Sequence, residues 1–396
     1  MAQDGYLAEL REFYHKQLTE NILPFWAAHV RDTECGGYHT CLNRDGSVYE
    51  YDKLCMWHAG RVMWTFSHLY NELEANTEWL EVARFGLPFV QSHGFAKDGT
   101  MYYALTRDGH PLEGPRDVFT ELSTVLGFTE LARATRDEPL YQQAKALFLR
   151  VWEQVGMPGG AMQPFIASTR PARLHGHSMI TLNVAQELRR YRDESVYDTV
   201  ITECVRRIVE YHLKTEKHAI FELVGWDGEI LPGTKGRWIN PGHMIECGIF
   251  FICEGKRRDD AALVKNGVRL IGWGFDWGWD KEYGGLFNDV DCDGLPVGTL
   301  EALQYDSKLW WQHAEALYGL MLAYCETGES RFLDAYKQAH DYSFSRFADP
   351  EYGEWYGYLD RRGNPVNQAK GSDRKNPFHI TRNFFGIYER LGQMLA

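Results

Sequence analysis

The sequence has no paired-cysteine spacing of the kind that builds a zinc framework. Its eight cysteines, at 35, 41, 55, 204, 247, 253, 292 and 325, include no C-x-x-C pair. Scattered thiols read as reduced residues of a cytoplasmic protein. The charged N-terminus, MAQDGYLAELREFYHKQ, has no apolar stretch of the secretory type. Long apolar runs are missing as well. The longest, about Cys247–Cys253, falls far short of the roughly 20 residues that a membrane helix needs. Positive charge is in deficit: 42 Lys plus Arg against 55 Asp plus Glu leave a net −13. That balance argues against nucleic acid or an anionic membrane as partner. No G-x-x-x-x-G-K-[ST] and no strand-linked G-x-G-x-x-G is present, so a phosphate-cradling nucleotide loop is unsupported. No Pro/Gly/Ser-rich linker or composition shift interrupts the chain, which reads as one domain over 1–396.

Aromatic rings are abundant: 13 Trp, 22 Tyr and 21 Phe among 396 residues. So many rings imply a very large core or a ring-lined cavity. The chain also repeats itself. Five segments share a glycine, then aromatics and apolars, then an Asp-Gly or Arg-Gly turn. They are GGYHTCLNRDG (36–46), GTMYYALTRDG (99–109), FELVGWDG (221–228), GGLFNDVDCDG (284–294) and GEWYGYLDRRG (353–363). Their closing glycines recur about every 66 residues, except for one gap of nearly two periods between 109 and 228. That gap predicts a degenerate copy near 156–170, and six copies in all. Each copy reads as a β-hairpin, because D-G between alternating apolars is a hairpin turn. Helical patterns fill the intervals, as at 56–74, 119–135, 195–213 and 307–328. Two helices and one hairpin per unit, six times over, predict an all-α (α/α)6 toroid with short hairpins on the active-site side.

The tetrapeptide N-P-x-H occurs twice, at Asn240–His243 and at Asn376–His379, each time opening a helical pattern. Asn is a preferred N-cap and Pro suits the first helical position, which puts each His at N3. The two copies lie about two repeat periods apart, so both helix starts fall at one end of a toroid. A helix N-terminus disfavours added positive charge and lowers a His pKa. Neutral imidazoles near pH 7 take or return protons. Two of them on opposite faces of one carbon meet the requirement for epimerisation.

Other residues complete the expectation. Glu246 shares a helix face with His243 and suits orienting the imidazole or binding a hydroxyl. Arg61, on a helix that reads as buried, needs a partner and suits a developing enolate oxygen. Trp311 and Glu315 are four apart and share a face, a ring beside a carboxylate that suits a pyranose. His175 and His177 have no third ligand in helical register, so no metal is expected.

At these residues the chain resembles the N-acyl-D-glucosamine 2-epimerase family almost end to end. The resemblance rests on GGYHTCLNRDG, RVMWTFS, YYALTRDG, RWINPGHMIE, WDKEYGGLF, KLWWQHAEAL, FADPEYGEWYGYLDRRG and FHITR, in family order. It implies an (α/α)6 barrel and cofactor-free chemistry at C2 of a free sugar through a cis-enediolate. By similarity, His243 and His379 match the acid/base pair and Arg61 the residue near the carbonyl oxygen. Glu246, Trp311, Glu315 and Arg382 match sugar-contacting positions, and His177, also expected to bind substrate, looks more like the branches acting on mannose or cellobiose. The substrate implied is N-acetylglucosamine/N-acetylmannosamine or unsubstituted glucose/mannose.

The departures bear on that choice. His175-Gly176-His177-Ser178-Met179 stands where N-acyl branches resemble A-V-P-M. A stretch linked to nucleotide activation in N-acyl members is replaced by GMPGGAMQPF. Two alternatives accompany the epimerase reading: an aldose–ketose isomerase (mannose/fructose) through the same enediolate, and an inverting glycosidase using Glu246 and Glu315. The barrel face away from the site is where a homodimer would form.

Overall fold

The computed structural model describes residues 2–157, 172–294 and 305–396, and the account below concerns those residues. The predicted degenerate copy near 156–170, with most of GMPGGAMQPF, lies outside them. The helices, in chain order, begin with α1 (Ala2–Lys16), which runs through a π-helical turn (Gln17–Ile22) into α2 (Leu23–His29). Then come α3 (Trp57–Glu72), α4 (Thr77–Phe85), α5 (Leu87–His93), α6 (Phe119–Thr135) and α7 (Glu138–Val155). The rest are α8 (His175–Tyr191), α9 (Ser195–Arg207), α10 (Pro241–Arg258), α11 (Ala261–Gly278), α12 (Trp310–Thr327), α13 (Ser330–Arg346) and α14 (Phe378–Leu395).

Six of them, α3, α6, α8, α10, α12 and α14, pack each on the next, and α14 returns to α3. The ring is closed. Outside it, α1 packs on α14, α4 on α3, α7 on α6, α9 on α8, α11 on α10 and α13 on α12. This is an (α/α)6 barrel, as the repeat period predicts. The sequence separates the two rings. In α6 every residue from Thr120 to Ala132 is buried, as an inner helix requires, whereas α11 buries one apolar stripe. Gly248 and Gly267 let α10 and α11 meet closely: a Cβ on either would stand 2.6–2.7 Å from the other's carbonyl oxygen.

All five closing glycines, 46, 109, 228, 294 and 363, have positive φ, from 77° to 94°, so each turn needs the freedom of glycine. Three copies form the predicted local hairpin. They are β1 (Cys41–Leu42) with β2 (Val48–Glu50), β3 (Ala104–Leu105) with β4 (Pro111–Glu113), and β12 (Tyr358–Leu359) with β13 (Pro365–Asn367). The other two pair differently. β8 (Leu223–Gly225) joins β5 (Ala172–Leu174), and β10 (Val290–Asp291) joins β9 (Trp238–Ile239). Each of these pairings ties a turn to the strand leading into an inner helix, α8 or α10. The hairpins therefore gather at the N-terminal end of the inner helices.

One motif sets the rim. Asp32, Asp280 and Asp349 open equivalent turns, each carboxylate accepting backbone N–H groups two and three residues on. Each also meets a buried lysine, Lys53, Lys308 or Lys370, at 2.8–3.0 Å. Each then takes an arginine from a hairpin of another repeat. Arg107 reaches Asp32, Arg361 reaches Asp280, and Arg44 of the first hairpin reaches Asp349 of the last unit at 2.7 Å.

Candidate active site

The two N-P-x-H segments lead into α10 and α14, on either side of α12, and Trp311 of α12 lies between their imidazoles. Its ring centroid is 5.2 Å from that of His243 and 5.4 Å from that of His379. Trp311 is half-buried in the first turn of α12.

His243 sits where the sequence predicts. The Asn240 side chain accepts the His243 backbone N–H at 2.9 Å, Pro241 is N1, and His243 is N3 of α10. Its ring is 28% exposed, and Nδ1 lies 3.0 Å from Oε1 of Glu222. The same Glu222 oxygen is 3.3 Å from Nδ1 of His175. Burial opposes a charge on His243, but the Glu222 carboxylate overcomes it and holds the ring up to about 9. The expectation that the helix N-terminus keeps this imidazole neutral is thereby corrected. A hydrogen-bonded carboxylate at 3.0 Å outweighs a partial charge spread over a turn of backbone.

His379 differs in frame and in charge. The first intrahelical bond of α14 runs from Thr381 N–H to the Pro377 carbonyl, so Pro377 is the cap and His379 is N2, not N3. Side chains knit a turn just before it. Ser372 Oγ accepts the N–H of Arg374 and of Lys375, and Asn376 Oδ1 accepts the N–H of Phe378. Lys375 is itself pinned to buried Glu354 at 2.5 Å. The His379 ring is almost wholly buried. Its Nδ1 lies 2.7 Å from Glu315 Oε1, and Nη1 of Arg61 lies 3.2 Å from its Nε2. A guanidinium only donates, so Nε2 must accept and Nδ1 carries the proton. Burial, then the Arg61 charge, keeps this ring well below the usual histidine range. Arg61 is held down to about 10, by burial first. Its guanidinium covers the rings of Trp57 and Phe378 at 4.7 and 4.9 Å.

Arg382, one turn beyond His379, donates through one Nη2 to Glu246 at 2.6 Å and to Glu315 at 2.5 Å. Glu246 therefore faces Arg382, and the imidazole-orienting role expected of it is filled for His243 by Glu222. Glu315 is fully buried. One of its oxygens takes His379, Arg382 and Asn383, so it stands behind His379, and its other oxygen is buried with no partner among the described residues. Burial pushes the Glu315 carboxyl up. His177 is buried in the first turn of α8, beside Phe119 at 5.5 Å, and burial holds it down to about 4. Sequence reasoning missed Glu222 and Asn383. Glu222 lies between Phe221 and Leu223 in an apolar run, and a carboxylate there demands a partner.

Of the four groups of described residues that bring metal-ligand atom types within 4.8 Å of one another, two lie at this site: His175, Glu222 and His243, and Glu246, Glu315 and His379. In the second, Arg382 already supplies the cation. No described helix is long and apolar enough to cross a membrane.

The family model for N-acylglucosamine 2-epimerase matches residues 36–382. The N-acylglucosamine 2-epimerase of Bos taurus is 34% identical over 385 residues, covering 95% of this chain and 90% of that protein. A cellobiose 2-epimerase structure from Bacillus thermoamylovorans superposes with a TM-score of 0.84 at 21% identity, covering 97% of this chain and all of the other. A D-mannose isomerase structure gives a TM-score of 0.80 at 16% identity, over 96% and 97% of the two chains. With the six-unit barrel and the matched segments in order, the chain belongs to the N-acylglucosamine 2-epimerase family, whose members found here are epimerases and isomerases of sugars.

Proposed function

We propose that this protein is a cofactor-free sugar 2-epimerase in which His379 and His243 exchange protons with opposite faces of C2. The observation that carries the reading is the unlike state of two imidazoles flanking one tryptophan. His379, neutral with Arg61 on Nε2, is a base. His243, paired with Glu222, is an acid. With the open-chain sugar over Trp311, Arg61 turns from Nε2 of His379 to the enediolate oxygen, the freed Nε2 removes the C2 proton, and His243 protonates the other face. Glu246, Glu315 and Arg382 form the charged network that fixes His379. Trp311 and His177 contribute to the sugar surface. The free thiols and the acidic charge favour a cytoplasmic enzyme, and a homodimer would form on the face away from the site.

Greater identity to N-acylglucosamine 2-epimerases than to cellobiose or mannose enzymes favours an N-acetylated hexosamine as substrate. His177 in place of an apolar residue favours an unsubstituted hexose as the second reading. An unsubstituted C2 also opens the aldose–ketose route. The inverting glycosidase fits poorly. It needs carboxyl groups about 6.5–9.5 Å apart with a water between them. Here Glu246 and Glu315 approach within 4.8 Å and share Arg382.

Proton NMR in D2O, with N-acetylmannosamine, mannose, glucose and cellobiose in separate tubes, tests the reading. The expected outcome is loss of the C2 proton signal with appearance of the C2 epimer. A ketose product selects the isomerase. No exchange with any of the four by folded protein refutes proton transfer on these sugars.

A further inference from the structure

We infer that Glu222 is the positioning residue that makes the histidine pair unequal. It fixes the tautomer of His243 and keeps that ring a proton donor. The inference rests on the two-histidine reading above.

The geometry is built from the backbone outward. Glu222 lies between β7 (Ala219–Ile220) and β8, and is itself buried. Its N–H donates to the Trp238 carbonyl at 2.9 Å, and its carbonyl accepts the His175 N–H at 2.8 Å. Trp238 belongs to the strand that leads into Asn240 and α10, and His175 opens α8. Glu222 is thus clamped between the first turns of two inner helices. Its side chain repeats the connection, with one oxygen against Nδ1 of both His175 and His243. A carboxylate only accepts, so both Nδ1 atoms carry protons and Nε2 of His243 is left for the substrate.

The ring's other charged neighbours do not explain its state. Glu246 on α10 and Asp289 before β10 also favour its charge, but more weakly than Glu222. Glu246 is engaged by Arg382, and Asp289 accepts from Asn240 and Trp238. His379 lies beyond Trp311. His175, on the second side of Glu222, has His212 beside it at 5.6 Å. Glu222 is held well below the usual carboxylate range: burial works the other way, but His243 and His175 outweigh it.

The test is Glu222→Gln, with Glu222→Asp as the charge-retaining control, read two ways. NMR of the His243 Cε1 signal should show wild type titrating near 9 and Glu222→Gln lower by about one pH unit or more. The basic limb of kcat/KM should move down by the same amount in Glu222→Gln and stay near wild type in Glu222→Asp. An unmoved midpoint or limb in folded Glu222→Gln overturns the inference. If that variant does not fold, a wild-type His243 midpoint at or below the ordinary value of about 6.5 overturns it equally. Should no sugar turn over, the epimerase reading fails, while the His243 midpoint still decides the role of Glu222.

Discussion

Asn240–His243 and Asn376–His379 are the same four-residue pattern opening inner helices of one barrel, yet they set their rings in opposite electrostatic surroundings. The first is capped as its sequence predicts and leaves its ring partly exposed beside a buried carboxylate. The second enters its helix one position later, and its ring is shut between a carboxylate on Nδ1 and a guanidinium on Nε2. The lesson is that a local motif fixes where a side chain starts, while its charge is set by what the rest of the fold brings to it. Glu222 is 21 residues from His243 in sequence, and Arg61 is 318 from His379.

The sharpest way to break the comparison is to remove one ring at a time. His379→Asn should lower kcat for epimerisation by about 10²–10⁴. His243→Asn should lower epimerisation by a similar factor. It should still wash deuterium into C2 of the epimer that presents its proton to His379, because the base survives. Equal loss of exchange in both variants would erase the assignment of roles, and mass spectrometry of recovered sugar decides it.

Arg61→Ala should cost about 10²–10³ in kcat, as loss of an oxyanion donor does. It also frees Nε2 of His379 and raises that ring's proton affinity, so the acid limb of the pH profile should move upward. Next is the wild-type profile itself. His243 donates only while protonated, so activity falls as pH rises through about 9. His379 accepts only while neutral, and its affinity is depressed, so the acid limb lies below the ordinary histidine range. Turnover should therefore be flat between about pH 6.5 and 8, and a bell centred on 6.5 would contradict the unequal pair. The smallest effect is expected at the helix starts. Asn240→Ala removes an N-cap and should cost about 1 kcal/mol in urea unfolding. Asn376→Ala, whose side chain closes a turn outside the helix, tests whether the shifted frame is worth as much.

The barrel was legible because its signals are local and repeated. Asp-Gly turns need positive φ, and all five closing glycines adopt it. The pairing of β8 and β10 with remote strands was not, because strand partners are chosen by tertiary packing. At the site, His243, His379, Arg61, Glu246, Trp311 and Glu315 could each be named from residue type and setting, and Arg382 only through the family resemblance. Their partners could not. A sequence shows that Arg61 is buried in an apolar helix, but not that its guanidinium meets an imidazole from the last helix. Nor does it show that one oxygen of Glu315 gathers His379, Arg382 and Asn383.

Arg44 and Asp349 carry a consequence for assembly. A row of helix pairs is by nature open-ended: each pair offers its successor the face that its predecessor offered it. Here the first hairpin supplies the arginine that the last turn lacks, across 305 residues. That contact forms only when every intervening pair is in place, and a loop of that length carries a large closure entropy. The ion pair acts as a clasp on a counted necklace. Adding or deleting one unit would misalign Arg44 and Asp349, which makes six a number the rim enforces as well as one the sequence repeats.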